Sequence, residues 1–246
     1  MYKAFYEMQR LPFVRDIPSG MLYESPATAD TLGRLSYAAD RQLFAVVKAD
    51  AGCGKSTLVR RFVETLPKEE YIFLYLSDSK LTPRWFCKGM LDQLGVESKF
   101  YRGDAKRQLQ KEVEIIRGVQ GRKVDCILDE AHLLEKEAIE EFRFLLNYKF
   151  DSMSPMALVL VGQTELWDKL QLQRYAAVRQ RIDLSCILPH LDRAQTGPNP
   201  AALVFPVSVP VHPRPVVQIS GQSSLGCICH YSYHRNSSRK SRQSSW

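Results

Sequence analysis

Ala49-Asp-Ala-Gly-Cys-Gly-Lys-Ser-Thr57 follows a continuous apolar run, Leu43-Phe-Ala-Val-Val-Lys48, and opens a helical stretch from Lys55 to Leu66 that stops before Pro67. It fits the phosphate-loop pattern GxxxxGK[ST] with one departure, Ala49 in place of the first glycine. Chemistry explains the residue types. Glycines at 52 and 54 let the backbone N–H groups of Ala51, Gly52, Cys53 and Gly54 curl around phosphate oxygens, and the helix start adds the positive end of its dipole. Lys55 reaches the β- and γ-phosphates, the Ser56 hydroxyl is a Mg²⁺ ligand, and Thr57 sits near the α-phosphate. Ala49 removes no ligand, and Cys53 is read as a small loop filler rather than a reactive thiol. Such a strand, loop and helix in sequence predict a site for ATP with Mg²⁺.

Outward from the loop, strands alternate with helices. Strands are expected at Tyr71–Leu76, Val124–Leu128 (interrupted by Asp125), Ala157–Val161 and Asp183–Leu188, besides the run before the loop. Helices are expected at Ala27–Gln42, Pro83–Leu94, Ala105–Arg117, Glu137–Asn147, Glu165–Gln173 and Ala177–Arg181. This alternation predicts an α/β three-layer sandwich around a mostly parallel, five-stranded sheet.

A second motif supplies carboxylates. Cys126-Ile-Leu-Asp-Glu130 ends an apolar strand about 75 residues after the loop, and is expected to meet the loop because adjacent parallel strands end on the same edge. Asp129 is expected to hold Mg²⁺, directly or through water, and Glu130 to polarise the water that attacks the γ-phosphate. Asp-Glu-Ala-His132 also spells a helicase box, but the chain has no room for the two domains such enzymes need. His132 is read as a helix-start residue beside Glu130. At the end of the fourth strand Gln163 is the candidate for orienting that water, with Thr164 second and a plain turn residue the alternative. Arg179 and Arg181 precede the fifth strand; one of them is a candidate arginine finger for a neighbouring subunit, against a solvated basic face.

The 246 residues carry 34 Lys and Arg against 27 Asp and Glu. Residues 193–246 hold six of those bases and no acid, so residues 1–192 carry 28 − 27 = +1. Six of the thirteen prolines also fall after residue 192. Prolines recur so closely between Phe205 and Pro215 that a helix is excluded there. Three segments follow: an aromatic N-terminal segment, 1–24, packing on the core; a core, 25–192; and a basic Pro/Ser-rich tail, 193–246. The tail reads as disordered or out of frame, with a DNA-binding arm carrying Arg235, Arg239, Lys240 and Arg242 as the alternative. Cys227, Cys229, His230 and His234 lack a common zinc spacing. No apolar stretch approaches the ~20 residues that span a bilayer. With no apolar leader at its start and no disulfide spacing, the chain is expected to be cytoplasmic.

With these residues placed, the chain resembles the AAA+ ATPases of the ExeA-like type, which include secretion-pathway ATPases and TniB-like helpers of transposons. The resemblance runs over roughly residues 1–192. Besides both motifs, it covers Met1-Tyr-Lys-Ala-Phe-Tyr6 with Leu11-Pro-Phe13, Leu128-Asp-Glu-Ala-His-Leu-Leu134, Leu145-Leu-Asn147, Leu160-Val-Gly-Gln163 with Glu165-Leu166, and Arg179-Gln-Arg-Ile182. It implies Gln163 as the first sensor, Arg181 as the finger in preference to Arg179, and an N-terminal aromatic segment near the adenine. It also implies a homo-oligomer, with duplex DNA and a transposase as partners. The departure follows Leu188-Pro-His-Leu-Asp192, where family members continue into a helical lid bearing a second sensor arginine. Here the lid pattern is lost. Two readings compete: an ATP-hydrolysing transposition helper, and a nucleotide-binding remnant without turnover or a relative of the secretion ATPases.

Overall fold

Phe44–Lys48 forms β1, whose side chains alternate between two apolar cores. Phe44 and Val46 face one, Ala45 and Val47 the other. A strand covered on both faces is what a continuous apolar run requires. This computed structural model describes residues 17–78, 81–145, 154–192 and 195, with two short segments at 217–218 and 230–231. The N-terminal aromatic segment through residue 16, Asn147, and most of the tail with its lid question lie outside the described residues.

Residues 18–191 form one unit. Its elements run α1 (Pro26–Arg41), β1, α2 (Lys55–Thr65), β2 (Tyr71–Leu76), α3 (Pro83–Gln93), α4 (Arg102–Gly118), β3 (Lys123–Leu128), α5 (Lys136–Leu145), β4 (Ala157–Gly162), α6 (Thr164–Gln171), α7 (Ala176–Arg179) and β5 (Leu184–Ile187). The sheet order is β2-β3-β4-β1-β5 and every pairing is parallel. On one face α1 and α2 bury Leu35, Ala38, Leu58 and Phe62 against Ala45, Ile127 and Val159. On the other, α3 to α6 bury Phe86, Met90, Leu109, Phe142 and Leu166 against Leu74, Cys126 and Leu158. The result is a three-layer α/β sandwich. In the other unit, formed by residues 1–17 and 192–246, the described strands are an antiparallel pair, β6 (Val217–Gln218) and β7 (His230–Tyr231).

Local chemistry sets the boundaries. Ser25 and Thr82 accept the Thr28 and Trp85 N–H groups, and Pro26 and Pro83 fill the first turns of α1 and α3. Some ends differ from the pattern-based expectation. Helix α4 starts at Arg102 rather than Ala105, because Tyr101 is extended and the Ala105 N–H reaches back to its carbonyl. Extended Leu172 ends α6 at Gln171, and a 3-10 turn, Gln173–Tyr175, leads into α7. His132 does not start a helix; it lies in a 3-10 turn, Ala131–Leu133, ahead of α5.

The order of strands refines one expectation. The phosphate loop follows β1 and the acidic motif follows β3, but these strands are not neighbours: β4 lies between them. All three carboxyl ends share one edge, so the residue after β4, Gln163, falls between the loop and the acidic pair.

Candidate nucleotide site

The loop from Ala49 to Gly54 turns through two left-handed glycines, Gly52 at φ 84° and Gly54 at φ 85°. Gly54 caps α2 with no side-chain hydrogen bond to the helix start, so the first N–H groups point out of the helix. A Cβ on Gly54 would meet nothing within 4 Å, but its backbone conformation is one that L side chains rarely adopt. Ala49 is buried. Among described non-glycine residues only Gln42 and Glu130 have positive φ, so the position of the pattern's first glycine does not need one here.

Lys55 is buried, and its Nζ donates to the Ala49 and Asp50 carbonyls at 3.1 and 2.9 Å. Its cation therefore lies inside the curl of the loop. Ser56 and Thr57 are exposed on the first turn of α2. This donor set suits a polyphosphate: N–H groups at a helix start, a cation held inside the loop, and two hydroxyls beside it.

Across β4, Asp129 is buried at the end of β3. Its Oδ2 accepts from the Tyr75 hydroxyl at 2.8 Å and its Oδ1 from the Glu130 N–H at 2.8 Å. These contacts fix the carboxylate while each oxygen keeps acceptor capacity, which suits a hard divalent cation. Burial, and then the Asp129 carboxylate, push the Tyr75 hydroxyl up to about 12, so it remains a donor throughout the neutral range. Glu130 sits in the left-handed region at φ 52°. Its carboxylate is part-exposed, with Oε2 3.5 Å from His132 Nδ1. The Gln163 N–H points at the same nitrogen at 3.5 Å. His132 thus links the acidic motif to the residue after β4. Gly162 permits this approach, since a Cβ there would lie 3.1 Å from the His132 backbone nitrogen and 2.9 Å from Leu166 Cδ2.

The two arginines lie elsewhere. They precede β5 and so sit at the amino edge of the sheet, opposite the phosphate loop of their own chain. Arg179 Nη1 donates to the Gln171 and Leu170 carbonyls at 2.7 and 3.3 Å, capping the end of α6. Arg181 is half-buried in the turn between α7 and β5.

Residues 38–170, more than half of the chain, match the AAA domain family. The chain belongs to that family. General secretion pathway protein A of Aeromonas hydrophila is 28% identical over 189 residues, which are 74% of this chain and 34% of that protein. The chain thus spans about a third of the length of this relative. Among solved structures, Cdc6p from Pyrobaculum aerophilum has a TM-score of 0.57 at 16% identity, with 75% of this chain and 50% of that one covered. The Aeropyrum pernix ORC2 protein, in ADPNP-ADP complexes, gives 0.53 at 15%, covering 79% and 52%. The Aeropyrum pernix ORC1 protein in complex with DNA gives 0.53 at 14%, covering 73% and 50%. At these identities the solved structures show the fold alone, an AAA+ P-loop sandwich.

Two contacts of this AAA domain are not legible in its motifs. Tyr75, from the edge strand β2, is one. The other is a polar cluster on the loop itself: Thr164 Oγ1 donates to Asp50 Oδ1 at 3.1 Å, His190 Nε2 lies 3.1 Å from Asp50 Oδ2, and His190 Nδ1 lies 3.4 Å from Cys53 Sγ. These hydrogen bonds, Thr164 first and then His190, hold the Asp50 carboxyl below its ordinary range. Asp50 is separated from its partners by 114 and 140 residues, a distance at which exposed polar side chains leave no periodic signal. Among the described residues no helix is long and apolar enough to cross a membrane.

Proposed function

We propose that the chain binds ATP with Mg²⁺ at this edge and hydrolyses it to ADP and phosphate. The observation that carries the reading is that the phosphate loop, Asp129 with Glu130, and Gln163 meet on one sheet edge. In this reading the N–H groups of Ala51 to Thr57 and the Lys55 ammonium bind the phosphates, and Ser56 and Asp129 hold the cation. Mg²⁺, when bound, neutralises charge across the β- and γ-phosphates. Glu130 takes the proton of the attacking water as its oxygen bonds to the γ-phosphorus and the bond to the ADP oxygen breaks. Gln163 orients that water. Arg181, placed before β5 at the sheet edge opposite its own loop, acts in a neighbouring copy, which makes the working form a homo-oligomer. Arg181 is taken as the finger in preference to Arg179, as the family resemblance implies, while Arg179 caps the end of α6.

The biological setting follows the sequence resemblance: a helper whose ATP turnover drives assembly on duplex DNA beside a transposase, in the cytoplasm. The 28% identity to General secretion pathway protein A favours a second reading, a relative of secretion ATPases. The test is ATP hydrolysis by the full chain, with and without duplex DNA, using Lys55→Ala as the blank. DNA-stimulated turnover supports the helper; turnover indifferent to DNA supports the second reading. Glu130→Gln should retain ATP and lose turnover by about 100-fold or more, the scale of a positioned general base. ATP binding with no turnover above the blank would leave a nucleotide-binding remnant, broken after Asp192.

A further inference from the structure

Three large aromatic side chains stand out from the surface of the AAA domain near the start of α3: Trp85 is 53% exposed, Phe100 70% and Tyr101 71%. They form one neighbourhood. Arg84 Cζ lies 4.4 Å from the Phe100 ring centre, and Phe100 meets Tyr101 edge-on at 5.4 Å. Lys88 Nζ lies 4.7 Å from the Trp85 ring centre. Each of these cations rests on an aromatic face.

Charge supports the same surface. From Arg84 to Arg107 there are six bases and three acids, 6 − 3 = +3 within a body of net +1. Arg102 and Lys106 are taken up by Glu141, and Arg107 by Asp104. Arg84 and Lys88 instead sit against rings, and Lys99 precedes Phe100 in sequence. Because α3 follows the carboxyl end of β2, Arg84 and Trp85 lie at the sheet edge that also carries the phosphate loop.

We propose that Trp85, Phe100 and Tyr101, with Arg84 and Lys88, form a platform that stacks unpaired bases of a single-stranded nucleic acid. Exposed rings offer π-faces to any base, and cations at the same rings meet the phosphates between bases. Bases inside a duplex have both faces covered and cannot use the rings this way. Aromatic rings and Arg84 would suit a protein interface as well; the local excess of three positive charges, with Lys88 and Lys99 among them, favours a polyanion. The proposal does not rest on ATP turnover, which would not move in the variants below.

The test holds charge constant, so that electrostatic binding by the basic tail cancels. Trp85→Leu and the double variant Phe100→Leu/Tyr101→Leu, each in the full chain, are titrated with fluorescein-labelled oligothymidylate and with a duplex of equal length. Oligothymidylate affinity should fall about 5- to 100-fold in each variant, the scale of one lost base stack. Duplex affinity should stay within twofold. Tryptophan fluorescence should be quenched by unlabelled oligothymidylate in the parent chain and much less in Trp85→Leu, which retains Trp167 and Trp246. An unchanged thermal midpoint confirms folding, as exposed side chains allow. Variants binding oligothymidylate within twofold of the parent, equal losses on duplex, or no binding by the parent would each overturn the platform, and the first would leave a protein as its occupant.

Discussion

Asp125 lies in the middle of β3, fully buried, with Oδ1 accepting from Gln42 Nε2 at 3.0 Å and Oδ2 without a hydrogen-bond partner. Burial pushes its carboxyl up to about 7 against the Gln42 bond. The folded chain therefore holds this proton more tightly than the unfolded chain. Stability falls as pH rises from about 4 to about 7 and is level above that, with a cost of at most about 4 kcal/mol across that range. Asp125→Asn should raise the thermal midpoint at pH 8 and change it little at pH 4.5; an equal effect at both would remove the titration from the account. Tyr75 tests the active edge in the same way. Its hydroxyl donates to Asp129, the proposed Mg²⁺ ligand, so Tyr75→Phe should raise the Mg²⁺ concentration for half-maximal turnover about tenfold, as lost outer-shell partners do. The KM for ATP at saturating Mg²⁺ should hardly move. An unchanged Mg²⁺ dependence would make Tyr75 a packing residue.

Between elements, Glu141 does the comparable work. It projects from α5 toward α4, only 1% exposed, and pairs with Lys106 at 2.9 Å and with Arg102. Burial alone would raise its carboxyl, but the two cations outweigh this and hold it below its ordinary range. A depressed carboxyl stabilises the fold above its unfolded value and loses that contribution as pH falls. Glu141→Gln leaves two cations that reach solvent, 56% and 22% exposed, so it should cost about 1.5 kcal/mol at pH 7, the scale of a charge-assisted hydrogen bond, and progressively less toward pH 3 in urea titrations. A pH-independent loss would point to packing alone. The same helices show where the sequence was readable. Every strand of the sheet follows from an apolar run, and the two motifs stand out by residue types that suit polyphosphate chemistry. The partners of Glu141 and the insertion of β4 between β1 and β3 do not, because they depend on how elements pack across 35 or more residues. The start of α4 was missed for a local reason: Arg102-Gly-Asp104 offers no apolar period before Ala105.

For the assembled molecule, the edges of the sheet set the logic. The phosphate loop opens at the carboxyl edge and Arg181 sits at the amino edge, so one chain cannot bring them together. A head-to-tail contact can, and repeated around a closed ring it gives every site a finger from the next copy. This makes a prediction that no single-chain mechanism shares. Lys55→Ala and Arg181→Ala should each abolish turnover alone, the first by losing nucleotide and the second while still binding it. Mixed in equal amounts, they should regain activity, because an Arg181→Ala subunit with an intact loop can be served by the Arg181 of a Lys55→Ala neighbour. Random mixing places that pairing at about one quarter of the interfaces, so recovered turnover should approach that fraction of the parent rate and grow with protein concentration. If the mixture stays as inactive as its parts at concentrations where the parent works, Arg181 acts within its own chain or not at all, and the ring loses its mechanistic basis.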